Sequence, residues 1–248
     1  MGRSEEAFAP IGGAVPGWSE REPPRPGPFP GRHCSVVPLR AEHAEALYPS
    51  CAGPGNESLW TYLADGPYPD AESFAARVAG TAADPDSVSV AVLNPAGTPV
   101  GLANFLRIDP RNGTVEVGGI LFGRRLQRTA AATEAMHLMA RHVFEELGYR
   151  RYEWKCDALN QPSRDAAVRL GFTFEGVFRQ AVVYKGRNRD TAWFSITDRE
   201  WPALDAAHEE WLAPANFDER GRQRRSLSEI RSHAGTQSPD VGTPVTLA

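Results

Sequence analysis

The sequence predicts a mixed α/β domain, and three observations carry that expectation. Short runs that alternate apolar with polar or small residues are interleaved with longer runs whose apolar residues recur every three or four positions. Turns bearing Gly, Pro and Asn separate the two kinds of run. The 248 residues, 41% of them hydrophobic, suffice for one sizeable core.

In chain order, residues 34–39 read as a strand, followed by a helix over 41–47 and further helical material at 58–63. A helix over 70–83 is introduced by Pro69 and closed before Pro85. Residues 87–93 and 100–108 flank Asn94-Pro95-Ala96-Gly97 as a hairpin. A second turn, Asp109 to Gly113, uses an Asn-Gly pair suited to positive φ and leads into a third strand at 114–122. From 129 to 147, Ala132, Met136, Met139, Val143 and Leu147 fall at helical spacing, with Glu134, His137, Arg141 and Glu145 opposite. Gly148 ends that helix, and 152–156 form another strand. A shorter helix, 162–170, stops at Gly171, and 172–184 with 191–196 make a closing hairpin around the charged loop 185–190. Trp154 and Trp193 are assigned to core or cleft without a choice between them.

Composition narrows the function. Lys and Arg number 27 against 31 Asp and Glu, a net charge of -4, so nothing draws the chain toward nucleic acid. No run nears the roughly 18 apolar residues of a membrane span and no secretory signal is visible, so a cytoplasmic protein without a membrane partner is expected. The three cysteines have no C-x-x-C spacing, so neither a disulfide framework nor a metal site is expected. Residues 1–31, rich in Pro and Gly, read as an extended leader, 32–212 as the domain, and 213–248 as a polar, mobile tail.

The chemistry concentrates where the strand ending at Phe122 meets the long helix. Free amides and the positive end of the helix dipole gather there beside Arg124, Arg125 and Arg128, with three alanines leaving the backbone approachable. Thr129 can cap the helix or offer its hydroxyl. On residues alone, an anion site and an ordinary Ala-rich helix start are equally good readings.

The segment Gln127-x-x-Ala130-x-Ala132 resembles the pyrophosphate loop of GCN5-related N-acetyltransferases, Gln/Arg-x-x-Gly-x-Gly/Ala, with Ala130 in place of the first glycine. In the expected order along the chain, Glu116-Val117-Gly118, Thr133-Glu134-Ala135, Asn160-Gln161-Pro162-Ser163, Arg169-Leu170-Gly171-Phe172, Glu175-Gly176 and residues 185–190 resemble the branch that acetylates ribosomal-protein N-termini. The likeness covers about residues 31–212.

The resemblance implies a twisted mixed sheet, flanked by helices, whose fourth and fifth strands splay to admit the pantetheine arm of acetyl-CoA, the acyl-donor cosubstrate. It implies that the edges of Gly119, Ile120, Leu121 and Phe122 bind pantetheine and that Gln127, Arg128, Thr129, Ala130, Ala131 and Ala132 cradle the pyrophosphate. Glu116 is the candidate base for a primary-amine acceptor, since its strand borders the splay; a solvent-facing strand residue is the competing reading. Ser163 is the candidate proton donor to the thiolate. Asn160 contributes to catalysis, to pantetheine binding, or to capping its helix. Tyr184 competes as general acid, and an acyl-enzyme on Cys156 is discounted because nothing beside it is arranged to generate a thiolate. The acceptor is a small amine or a protein N-terminus. A homodimer is left open, and the alternative function is a catalytically silent CoA-binding or scaffold protein.

Overall fold

The computed structural model describes residues 12–233. Its strands are β1 (Phe29–Pro30), β2 (Ser35–Pro38), β3 (Val88–Leu93), β4 (Pro99–Asp109), β5 (Thr114–Phe122), β6 (Arg151–Asp157), β7 (Thr173–Tyr184) and β8 (Arg187–Thr197). They form one sheet in the order β1-β2-β3-β4-β5-β6-β8-β7. Pairing is antiparallel throughout except between β5 and β6, which run parallel. The helices are α1 (His43–Cys51), α2 (Ala71–Ala82), α3 (Ala130–Arg141), α4 (Gln161–Leu170), α5 (Trp201–Leu212) and α6 (Leu227–His233).

Strand alternation sorts the side chains onto two faces. Val115 and Val117 of β5, Trp154 and Cys156 of β6, and Phe194 of β8 point to the face covered by α3, α4 and α5, where they join Met139, Val143, Ala167 and Leu204 in the main core. Leu102 and Leu121 point the other way, into a second core with Leu47, Trp60, Phe74 and Val78 under α1 and α2. That second cover lies over β2 to β5. Beyond it the same face carries charged residues.

Local chemistry explains the helix ends. Asp70 caps α2 by accepting from Ser73 N, and Thr129 caps α3 by accepting from Ala132 N at 3.2 Å. Gly171, at φ +107, ends α4 in the left-handed conformation. The long helix expected over 129–147 is α-helical only to Arg141; its last turn widens, with Leu147 N bonded to His142 O.

Other expectations are corrected. A two-residue strand precedes the expected first one, so the splayed fourth and fifth strands are β5 and β6 here. The loop 185–190 is a turn at Lys185 and Gly186, with the following residues taken into β8. Packed structure also extends past both expected domain boundaries. Phe29 is buried against the main core, and Trp18 donates to Arg111 O across the turn between β4 and β5. After Leu212, Leu227 and Ile230 of α6 are buried against Trp211, and Asn216 ties the intervening loop with bonds to Trp211 O and Arg225 O. Residues 1–11 and 234–248, where the leader begins and the tail ends, lie outside the described residues.

Candidate active site

Strands β5 and β6 are hydrogen-bonded only from Thr114 to Val117 and from Arg151 to Trp154. Beyond that register β6 stays with β8 as far as Asp157, whereas β5 stays with β4 as far as Phe122. The two strands therefore part at Gly118 and Lys155. The β6-facing edge of Gly119 to Phe122 is left without a strand partner among the described residues, and an extended amide-bearing chain fits such an edge.

A bulge turns β5 at this point. The β4–β5 register shifts between Leu102 and Asn104, and Gly119 sits at φ +56. Asn104 fixes it: its Nδ2 donates to Gly118 O at 3.2 Å and Gly119 O at 3.4 Å, while its Oδ1 accepts from Ser89 Oγ at 2.7 Å. A Cβ on Gly119 would lie 2.5 Å from that Nδ2. Sequence reasoning missed Asn104, although one buried amide inside the apolar run 100–106 is a visible signal.

The other expected cofactor residues lie along one path. The side chain of Leu121 is buried in the core, leaving its backbone to the cleft, and Ile120 and Phe122 are half-buried. Gln127 Nε2 donates to Phe122 O at 2.9 Å, so its side chain closes the loop. Arg128 is exposed at φ +61, just before the capping Thr129. At the start of α3 the amides of Ala130 and Ala131 precede the intrahelical ladder, and small side chains surround them. Ala130 packs toward the cluster of Ala207, Trp211 and Leu212, and Ala131 and Ala132 toward the main core. A thioester cofactor carrying a diphosphate fits this donor set: an open strand edge leading to a capped helix start flanked by Arg128.

Glu116 is not a solvent-facing strand residue. Its side chain is 4% exposed, with Lys155 Nζ at 3.0 Å and Arg107 Nε at 3.1 Å from Oε2. Those contacts lack hydrogen-bond alignment. Its Oε1 lies 2.8 Å from where a Cβ on Gly118 would stand, so this oxygen covers the point where the strands part. Burial pushes the Glu116 carboxyl above its ordinary range, and Arg107 and Lys155 pull it back. The pairing continues along the face: Lys155 to Glu153 at 2.7 Å, Glu153 to Arg151 at 2.6 Å, and Arg151 to Glu175 at 2.5 Å.

Ser163 and Asn160 occupy the other face. Asn160 caps α4, its Oδ1 accepting from Ser163 N at 3.2 Å. Ser163 Oγ accepts from Trp154 Nε1 at 3.0 Å, which leaves the hydroxyl proton to donate. Trp154 is thus a core residue that also aims Ser163. Trp193 lies on the face with Lys155, whose Nζ stands 3.8 Å from its ring centroid, and it stacks on Phe178 at 4.4 Å. Burial raises the Cys156 thiol above its ordinary value, which disfavours a thiolate. Tyr184 donates to Asp157 Oδ2 at 2.8 Å, and burial together with that carboxylate pushes its phenol up to about 12. Lys185 Nζ reaches Trp60 O at 2.6 Å, so the tip of the β7–β8 hairpin rests on the segment after α1.

At the contact of α3 with α5, His137, Asp205 and Glu209 bring one ligand atom each within 4.8 Å of one another. There His137 bonds Asp205 at 2.7 Å and Glu209 bonds Arg141 at 3.0 Å, contacts that hold the two helices together.

Comparison with known proteins agrees with this fold. Residues 35–173 match the model of the Acetyltransferase (GNAT) domain family. A GCN5-related N-acetyltransferase of Brucella melitensis is 43% identical, covering 88% of this chain and 100% of its own, with a TM-score of 0.85. An uncharacterized N-acetyltransferase, p20, of Bacillus licheniformis is 34% identical over 41% of this chain and 57% of its own length. The ribosomal-protein-serine acetyltransferase of Escherichia coli (strain K12) is 33% identical over 33% of this chain and 45% of its own. The chain thus spans about half the length of these curated relatives.

Proposed function

The chain belongs to the GNAT acetyltransferase domain family, and from that premise we propose that it transfers the acetyl group of acetyl-CoA to a primary amine. The observation that carries this reading is the parting of β5 from β6 immediately beyond Val117 and Trp154, with an open strand edge running from there toward the start of α3.

The gap joins two chemically different faces. Glu116 and Lys155 lie on one, and Trp154, Cys156 and Ser163 on the other. Acetyl-CoA supplies an acyl group already activated as a thioester. An ammonium arriving on the Glu116 face gives its proton to that carboxylate, directly or through one water, and the amine nitrogen then reaches the acyl carbon through the gap. As the C–N bond forms and the C–S bond breaks, the departing sulfur takes a proton from the Ser163 hydroxyl, which Trp154 orients, and the second proton shed by the acylated nitrogen passes through water to restore that hydroxyl. Asn160 fixes the turn that carries Ser163. The chain thus supplies position and proton transfer, with no covalent intermediate on Cys156.

The acceptor class is read by assay. Full-length protein is incubated with acetyl-CoA and three acceptors: an unblocked seryl peptide, a polyamine and an amino-acid amide. Thiol release and acetylated product are followed together. Turnover on any acceptor, lowered at least tenfold in E116Q, supports the reading. CoA binding without turnover on any of them favours the silent CoA-binding alternative, and absence of CoA binding refutes both.

A further inference from the structure

The two cations on Glu116 are unequal. Lys155, on β6, is 4% exposed, is shared with Glu153 and stands against the Trp193 ring of β8. Arg107, on β4, is 58% exposed, and its Nε meets Glu116 Oε2 at 3.1 Å. Its backbone is at φ +45, inside an irregularity of the β4–β5 register between Leu106 and Asp109. A non-glycine residue adopts that conformation only when its surroundings impose it. One counter-ion is therefore built into the sheet, and the other reaches the carboxylate from solvent.

Resting on the reading of Glu116 as the base, we infer that Arg107 is an exchangeable counter-ion: it covers the carboxylate between turnovers and yields that place to the ammonium of the incoming acceptor. Arg107 is then a positioning residue. A cationic acceptor competes with it for one buried charge, so it limits acceptor affinity while favouring the ionised form of the base when no acceptor is present. The charged groups facing Glu116 are Arg107 from β4 and Lys155 and Glu153 from β6; the two cations favour the carboxylate and Glu153 opposes it. With Arg107 removed, the remaining balance shifts toward the protonated acid, and the acid side of the activity profile moves to higher pH.

The test compares wild type with R107Q, R107K and E116Q in the full chain. Glutamate labelled at its carboxyl carbon reports the titration of Glu116 by NMR, the signal being identified by its loss in E116Q. Methylammonium chloride serves as the competing cation, and the seryl peptide with acetyl-CoA gives the kinetics. R107Q is expected to titrate Glu116 at higher pH and to shift its carboxyl signal at lower methylammonium concentration. Above the acid limb its KM for the peptide falls about two- to fivefold, the range set by an exposed ion pair, with kcat unchanged. R107K restores the wild-type profile. If E116Q lowers turnover at least tenfold but the Glu116 titration and KM of R107Q equal those of wild type, the inference falls and the base assignment stands. If turnover in E116Q falls less than tenfold, both fall. If the peptide is not turned over, the titration and methylammonium response decide alone: equal behaviour of wild type and R107Q overturns the inference.

Discussion

Replacing Gly119 by alanine tests whether the bulge that opens the cleft depends on glycine for the reason the geometry gives. An L-residue at φ +56 costs about 1 kcal/mol relative to glycine. The added Cβ would also stand 2.5 Å from Asn104 Nδ2. That amide cannot retreat without weakening its bonds to Gly118 O, Gly119 O and Ser89, and a buried polar group left unpaired costs about 1–3 kcal/mol. G119A should therefore lose about 2–4 kcal/mol, measured by urea unfolding, and bind CoA more weakly in calorimetry. N104A removes the atom the methyl meets. In that background G119A should cost only the backbone share, about 1 kcal/mol, leaving a coupling of about 1–3 kcal/mol between the two sites. Equal costs of G119A in both backgrounds would refute the claim that Asn104 holds the bulge against a side chain at 119.

Three further outcomes are expected. His208, buried and stacked on His137, is pushed down to about 3 by burial first and by that neighbour second. Its folded value lies below the ordinary 6.5, so its contribution is full above about pH 6.5 and is lost as pH falls toward about 3; urea unfolding should show H208L losing about 2 kcal/mol less than wild type between pH 7 and 5. Glu134 accepts from the amides of Arg32, His33 and Cys34 at 2.6–2.9 Å, so E134A should lower stability by about 2–4 kcal/mol in the same assay, whereas loss below about 0.5 kcal/mol would show that the segment is held elsewhere. R128E exchanges an exposed side chain beside the start of α3 and should leave stability within about 0.5 kcal/mol of wild type while weakening CoA binding at least about tenfold by calorimetry.

Much of this architecture is legible from periodicity. The strands at 114–122 and 152–156 are legible from their alternation, and their pairing sets Val117 and Trp154 on one face and Glu116 and Lys155 on the other. The start of α3 is legible because Thr129 and the alanines after it have a local reason to form a cap and an approachable backbone. What escaped notice depends on partners distant in sequence. Arg107 and Lys155 look like ordinary strand charges until β4, β5 and β6 are laid side by side, and only then do they surround Glu116. Helix α6 was missed for a related reason. Its burial rests on Leu227 and Ile230 alone, too few residues to set a period, and they find their partners on α5.

That C-terminal packing bears on the departure from the family pattern at Ala130. A methyl group at the first glycine position would obstruct a diphosphate if it faced the cleft. Ala130 instead begins α3 in a conformation alanine favours, and its side chain packs toward Ala207, Trp211 and Leu212, which α6 backs with Leu227 and Ile230. The backbone amides at the helix start keep their approach because the methyl has an apolar surface to occupy. Under the proposed acetyl-CoA reading, the glycine of the pattern and the alanine of this chain satisfy the same requirement by different means: glycine has no side chain to place, and here α5 and α6 provide the place.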